Sequence, residues 1–304
     1  MVGRFFVLFG LSTFLGACAS VSGNGIPDVI VAERGGFIPE GIEYDNNSGR
    51  ILTGSLSEGT IYSVSNSGQL VAVIQDAEMV ASVGIEVDEA GNRILAAVAD
   101  NSVPGGIAKL GVYDLSSGER LAMVDLAASI DNRPANASHF ANDVAISRAG
   151  TAFVTDTGMN IIYRVDRYYN AEVFLNLGQE SGFSLNGIEY HPNGYLIVSA
   201  MATGELLKVP VNSPQNWSVV ELDFPASGGD GLVWTPGGGL VVTSNNTSRA
   251  LKYVSDDNWR TASLVGMARF DGQVTTAAAV GEEVLVVQPQ FTGSEPPVIL
   301  RARF

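Results

Sequence analysis

The stretch Glu40–Ser55, EGIEYDNNSGRILTGS, returns five times further along the chain, and that recurrence decides the fold. It comes back as VGIEVDEAGNRILAAV from Val83, NDVAISRAGTAFVTDT from Asn142 and NGIEYHPNGYLIVSA from Asn186. DGLVWTPGGGLVVTS from Asp230 and a weaker TAAAVGEEVLVVQ from Thr276 complete the set. Successive starts lie 43, 59, 44, 44 and 46 residues apart. Each copy reads as strand, turn and apolar strand, usually followed by two further strands such as GTIYSVS and QLVAVIQ. Helical periodicity is essentially absent after the N-terminal segment. A fixed period of this size marks a repeat architecture, and six four-stranded units describe an all-β, six-bladed β-propeller. The last unit offers only three strands, ending in PVILRARF; the segment Asp28–Glu33, DVIVAE, is expected to complete that blade and close the ring. A β-sandwich with coincidental spacing is the competing architecture.

The bulk composition suits such a core. Of 304 residues, 46% are hydrophobic and 16% charged, and 35 glycines provide tight turns. The formal charge of −15 argues against nucleic acid, because no basic surface exists to displace counterions from phosphates. At the N-terminus, Arg4 precedes an apolar run, Phe5–Phe14, too short to span a membrane and suited to an export signal over 1–19. The run leads into Leu15-Gly16-Ala17-Cys18, which looks like a bacterial lipobox with cleavage before Cys18, the sole cysteine. A periplasmic or outer-membrane lipoprotein is expected, touching membrane only through a lipid on Cys18. The rival pattern Ala17-Cys18-Ala19 allows simple secretion. A linker is expected over 20–27, with the propeller over 28–304. Five Asn-x-Ser/Thr sequons, Asn245 and Asn246 among them, read as coincidence in a chain rich in these residues.

Alignment of the repeats places six residues at one register position: Glu40, Val83, Asn142, Asn186, Asp230 and Thr276. In a propeller the innermost strands begin at the central channel, so these side chains are expected to converge. Four offer oxygen donors, two of them carboxylates, which is a donor set for a hard divalent cation such as Ca²⁺. One such residue alone would more simply cap a turn. Glu43, Glu86 and Glu189 share a second position and suit a repeated structural role. The 59-residue interval holds an extra loop, Ala127–Phe140 (AASIDNRPANASHF), directly before Asn142. In it His139 is expected either as a plain loop histidine or above the channel mouth, contacting substrate. His191 is expected at a turn, and Phe140 and Trp234 in apolar packing near the channel.

The phrases PEGIEYD, ANDVAI, LNGIEY and DGLVW resemble the senescence-marker-protein/gluconolactonase family of six-bladed propellers. GSLSEGTIYSVS and ANDVAISRAGTAFVTDT look like its calcium-dependent phosphotriesterase-like branch. The resemblance implies a divalent metal, Ca²⁺ or alternatively Zn²⁺, Mn²⁺ or Mg²⁺, held by Glu40, Asn142, Asn186 and Asp230. It implies hydrolysis of a small-molecule lactone or phosphoester, with Asp230 as general base or nucleophile and a monomeric enzyme. Asp143 would orient the Asn142 amide. The alternative is a non-enzymatic propeller that binds a small ligand or a protein and keeps Ca²⁺ as a structural staple. No G-x-S-x-G, phosphate-loop or dinucleotide motif offers a different chemistry.

Overall fold

The structure, a computed structural model, describes residues 25–292 and 294–304. The expected signal over 1–19, the lipidation site Cys18 and residues 20–24 of the 20–27 linker lie outside the described residues. Among the described residues there are 24 strands, four short 3-10 turns and no α-helix. The strands pair antiparallel in consecutive groups of four, which we number blades 1 to 6. Their innermost strands are Ile42–Asp45, Ala81–Asp88, His139–Ile146, Leu185–His191, Gly229–Trp234 and Ala277–Val280. Each innermost strand packs against the next, and the sixth against the first, so the ring is closed.

Blade 6 is assembled from both ends of the chain, as expected. Val29–Val31 pairs antiparallel with Val298–Ala302, placing Val29 opposite Leu300 and Val31 opposite Val298. Arg301 adds an ion pair to Asp28 at 2.9 Å, and Arg303 another at 2.7 Å. Ile30 turns inward to the apolar cluster shared by Ile42, Val64 and Leu285.

The inner strands look continuously apolar because each blade is covered on both faces. In Arg93–Ala99, Leu95, Ala97 and Ala99 pack towards blade 3, whereas Ile94, Ala96 and Val98 pack towards blade 1. That alternation is the period of two expected of a strand. The turn after each inner strand is also repeated chemistry. Asp45 accepts from the Asn47 N–H at 3.0 Å and pairs with Arg50, and Asp88 accepts from the Gly91 N–H at 2.9 Å and pairs with Arg93. Burial alone would raise the Asp45 carboxyl, but the Ser48 hydroxyl and Arg50 bring it below its ordinary range.

Around the axis the blades approach backbone to backbone. The Gly41 N–H donates to the Val83 carbonyl at 3.1 Å. A Cβ on Gly187 would lie 2.2 Å from the Asp230 carbonyl oxygen, so only glycine fits there. Hydroxyls satisfy ring carbonyls that are shut away from water: Thr155 donates to Asn186 O at 2.6 Å, Ser199 to Asp230 O at 2.9 Å and Thr275 to Glu40 O at 2.8 Å.

Candidate functional site

All four polar residues of the aligned position are buried, at 7% exposure for Glu40 and Asn142, 5% for Asn186 and 4% for Asp230. Asp230 and Asp143 stand close enough to Glu40 that, after burial, their charges are the next causes holding its carboxyl well above its ordinary range. Glu40 of blade 1 thus feels the charge of Asp230 of blade 5. Val83 and Thr276, also buried, fill the remaining two blades at this level. Glu40 is presented by a constrained segment. Ile38, two residues earlier, has φ 46°, a region that β-branched residues avoid, and its carbonyl accepts from the Leu56 N–H at 2.9 Å.

Three of these residues are oriented by the side chain 15 positions further on, where the second strand of the same blade ends. Asn142 Nδ2 donates to Thr157 Oγ1 at 2.9 Å, Asn186 Nδ2 contacts Met201 Sδ at 3.4 Å, and Asn245 Nδ2 donates to Asp230 Oδ2 at 2.9 Å. Gln273 in turn donates to Asn245 Oδ1 at 2.9 Å. Thr157 fixes which way the Asn142 amide faces. Its hydroxyl lies 2.6 Å from the Leu185 carbonyl, which can only accept, so its single proton is committed there. Towards Asn142 it can only accept, which turns the amide nitrogen to Thr157 and the oxygen away. Asn142 Oδ1 and Glu40 Oε2 are both buried without a hydrogen-bond partner.

Asp143 does something other than orient Asn142, as the sequence had suggested it would. Its oxygens accept from the backbone N–H groups of Val144 at 2.9 Å and Ile188 at 3.1 Å, and the amide's partner is Thr157. The difference arises because Asp143 occupies the glycine position of blades 1, 2, 4 and 5. A Cβ on Gly84 would come within 2.2 Å of Asp143 Oδ1, so the carboxylate fills space that glycine leaves in the adjoining blade. Burial raises its pKa to about 7, tempered by the two N–H donors.

His139 lies wholly buried at the start of an inner strand, paired in parallel with Gly106 of blade 2. Its Nδ1 is 2.7 Å from Asp156 Oδ2, which also accepts from the Tyr163 hydroxyl at 3.0 Å. His191 caps its turn, its Nδ1 accepting from the Asn193 N–H at 3.1 Å while the ring stacks on Tyr195. Trp234 packs edge-on to His191 and Trp259 at the far end of its strand.

Three residues along from the register position, Glu43, Glu86 and Glu189 form a separate acidic level. Burial raises all three, Glu43 to about 8; nearby carboxylates add to it, Asp143 and Glu89 for Glu43, Glu43 and Glu189 for Glu86, and Glu43 and Asp143 for Glu189. A carboxyl whose folded pKa exceeds its unfolded one destabilises the fold as pH climbs from the ordinary 4.5 towards 8. Glu43→Gln is therefore expected to raise Tm at pH 8 and to change it little at pH 4. Equal effects at the two pH values in a thermal melt would refute this account.

The four residues fit a hard cation on their own chemistry: two desolvated carboxylates, two amides, and two buried oxygens lacking partners. Among the described residues no three His, Cys, Asp or Glu side chains group so as to hold a metal, so the amides are indispensable to the set. If Thr157 fixes the Asn142 amide, Thr157→Val is expected to weaken divalent-cation binding about tenfold and Thr157→Ser to restore it. Calorimetric titration with Ca²⁺ reads this out, and equal affinities for valine and serine variants would contradict it.

The chain is thus a β-propeller that gathers its polar residues at the start of the inner strands. No protein-family model and no curated protein sequence matches it. Among solved structures, the major allergen Mala s 1 of Malassezia sympodialis aligns at TM-score 0.74 and 18% identity, over 91% of this chain and 96% of that one. A gluconolactonase from Xanthomonas campestris aligns at TM-score 0.65 and 14% identity, over 96% and 94%. Luciferin-regenerating enzyme aligns at 0.64 and 12%, over 91% and 95%. These likenesses establish the fold that the sequence phrases imply.

Proposed function

We propose that the protein is a divalent-metal-dependent hydrolase of the lactonase or esterase type. The observation that carries this reading is the burial of Glu40, Asn142, Asn186 and Asp230 at one register position, with Glu40 Oε2 and Asn142 Oδ1 left unpartnered. The gluconolactonase and luciferin-regenerating enzyme that share the fold are consistent with it.

Glu40, Asn142, Asn186 and Asp230 would hold the cation, Ca²⁺ or alternatively Zn²⁺, Mn²⁺ or Mg²⁺. When bound it supplies Lewis acidity towards a lactone carbonyl or a phosphoryl oxygen. Asp230 supplies the base or the nucleophile. In the bare protein burial lifts its pKa from 3.8 to about 7, opposed by the amides of Asn245 and Asn186. Asn245 fixes Oδ2, leaving Oδ1 to take a proton from an attacking water or to attack directly. On the base route the water oxygen bonds to the acyl carbon, the ring C–O bond breaks and the departing oxygen takes up the proton that Oδ1 received. On the direct route the ring C–O bond breaks as an Asp230 acyl anhydride forms, and the departing oxygen takes a proton from water. A second water then hydrolyses the anhydride to restore the carboxylate. The burial of all four residues keeps competing bulk water from the reacting atoms. Export as a lipoprotein remains part of this reading, resting on the sequence around Cys18.

The test is a panel of lactones and aryl phosphotriesters, assayed with each of the four cations and with chelator. Turnover that chelator abolishes supports the hydrolase. No turnover with any cation would leave the propeller as a binding module.

A further inference from the structure

Resting on that reading, we infer that the site has an apolar subsite over blade 2, which takes an uncharged alkyl or aryl arm of the substrate. Blade 2 is where the polar pattern breaks. Its register residue is Val83, and the residue 15 positions on, which in blades 3, 4 and 5 orients a polar partner, is Val98. An open recess of about 280 Å³, lined by Leu56, Val80, Ala81, Ala99 and Phe140, lies where the first strand of blade 2 begins and its second ends.

The register of these residues sets the recess at the same end of the blades as the polar site. Ala81 and Phe140 stand two residues before Val83 and Asn142, while Leu56 and Ala99 stand 16 residues after Glu40 and Val83. They form the level immediately outside the ring residues and their orienting partners. Leu56 is tied directly to the Glu40 segment through its N–H on the Ile38 carbonyl. Leu56 and Phe140 pack from above on the blade 2–blade 3 core, and Val80 remains 47% exposed at the rim. A solvent-exposed valine beside a recess floored by leucine, alanine and phenylalanine gains from a covering apolar group.

The rim also sets the charge of the arm. Asp100 and Asn101 close the recess, and the chain as a whole carries a formal charge of −15. A carboxylate at the mouth repels an anionic arm. The substrate class is therefore a lactone or ester with a neutral hydrocarbon substituent, as opposed to a polyhydroxylated or anionic ring.

The test compares kcat/KM of the cation-loaded enzyme for δ-valerolactone, the same ring with an n-hexyl arm, and the same ring with a carboxylate-ended arm. The hexyl lactone is expected to exceed the bare ring by tenfold or more, since two buried methylenes already provide that factor. The carboxylate-ended lactone is expected to fall below the hexyl one. Val80→Asp at the exposed rim, and independently Leu56→Asn, should bring the hexyl-to-bare ratio towards unity. Turnover with no hexyl preference, or with a preference that both variants retain, overturns the subsite. If no lactone is hydrolysed, the hydrolase reading fails and the subsite is judged by calorimetry with the hexyl and bare lactams. Tenfold tighter binding of the hexyl lactam, lost in Val80→Asp, upholds it; equal binding overturns it.

Discussion

Asp230→Asn is expected to lower kcat about a thousandfold at saturating cation, within the range that a positioned general base contributes. The substitution keeps volume and shape. Asn245 still requires an acceptor, so the new amide turns its oxygen towards Asn245 Nδ2, now 2.9 Å from Asp230 Oδ2, and offers its nitrogen to the site. That nitrogen can neither accept a proton from water nor attack a carbonyl. Loss of one carboxylate also weakens cation binding, so the measurement must be made after titrating each protein to saturation. The fold should survive, because Asp230 is a buried carboxyl raised to about 7, and a neutral amide is easier to bury. A variant that binds the cation yet keeps kcat within threefold of the parent would remove Asp230 from the chemistry.

The second large effect concerns shape alone. Gly187→Ala is expected to cost about 3 kcal/mol, the upper end for overpacking, because its Cβ would lie 2.2 Å from a backbone oxygen that cannot rotate away. In a chain of this size that corresponds to a fall in Tm of roughly 5 °C. The displaced backbone belongs to Asp230 and adjoins Asn186, so cation affinity should fall with stability. Gly237→Ala supplies the control, since a Cβ there meets nothing within 4 Å and its φ is not positive. If both variants melt alike, close backbone approach is not what the inner-strand glycines provide.

The fold was legible because the repeat states it six times over, including the one-strand shortfall of the last unit that Val29–Val31 makes good. That Glu40, Asn142, Asn186 and Asp230 are polar side chains at one position, all of them buried, was legible for the same reason, as one register read across blades. Their supports were not. Thr157, Met201 and Asn245 share a register of their own, 15 residues on, but serine, valine, threonine, methionine and asparagine at that place in blades 1 to 5 show no common chemistry. Each matters only for what its own blade presents. Asn245 even carried a different signal, as part of a sequon. His139 was misleading in another way. The extra loop suggested either a plain loop histidine or a side chain above the channel mouth, whereas a two-residue parallel pairing of His139 and Phe140 with Gly106 and Ile107 draws the histidine into the seam between blades 2 and 3. Such pairings join strands of different repeats, so no repeat contains their pattern.

The closure of blade 6 governs when the molecule can exist at all. Five blades are built from neighbouring strands, but Asp28 and Arg301 are 273 residues apart when they meet. Local hairpins can form early, whereas this contact bears the loop-closure entropy of nearly the entire chain. Until the last strand is delivered, the first has no partner and the axial residues of blades 1 and 6 have no neighbour across the gap. The site is thus a product of completion: a chain that lacks only its last strand retains five blades and loses the closed ring around its centre.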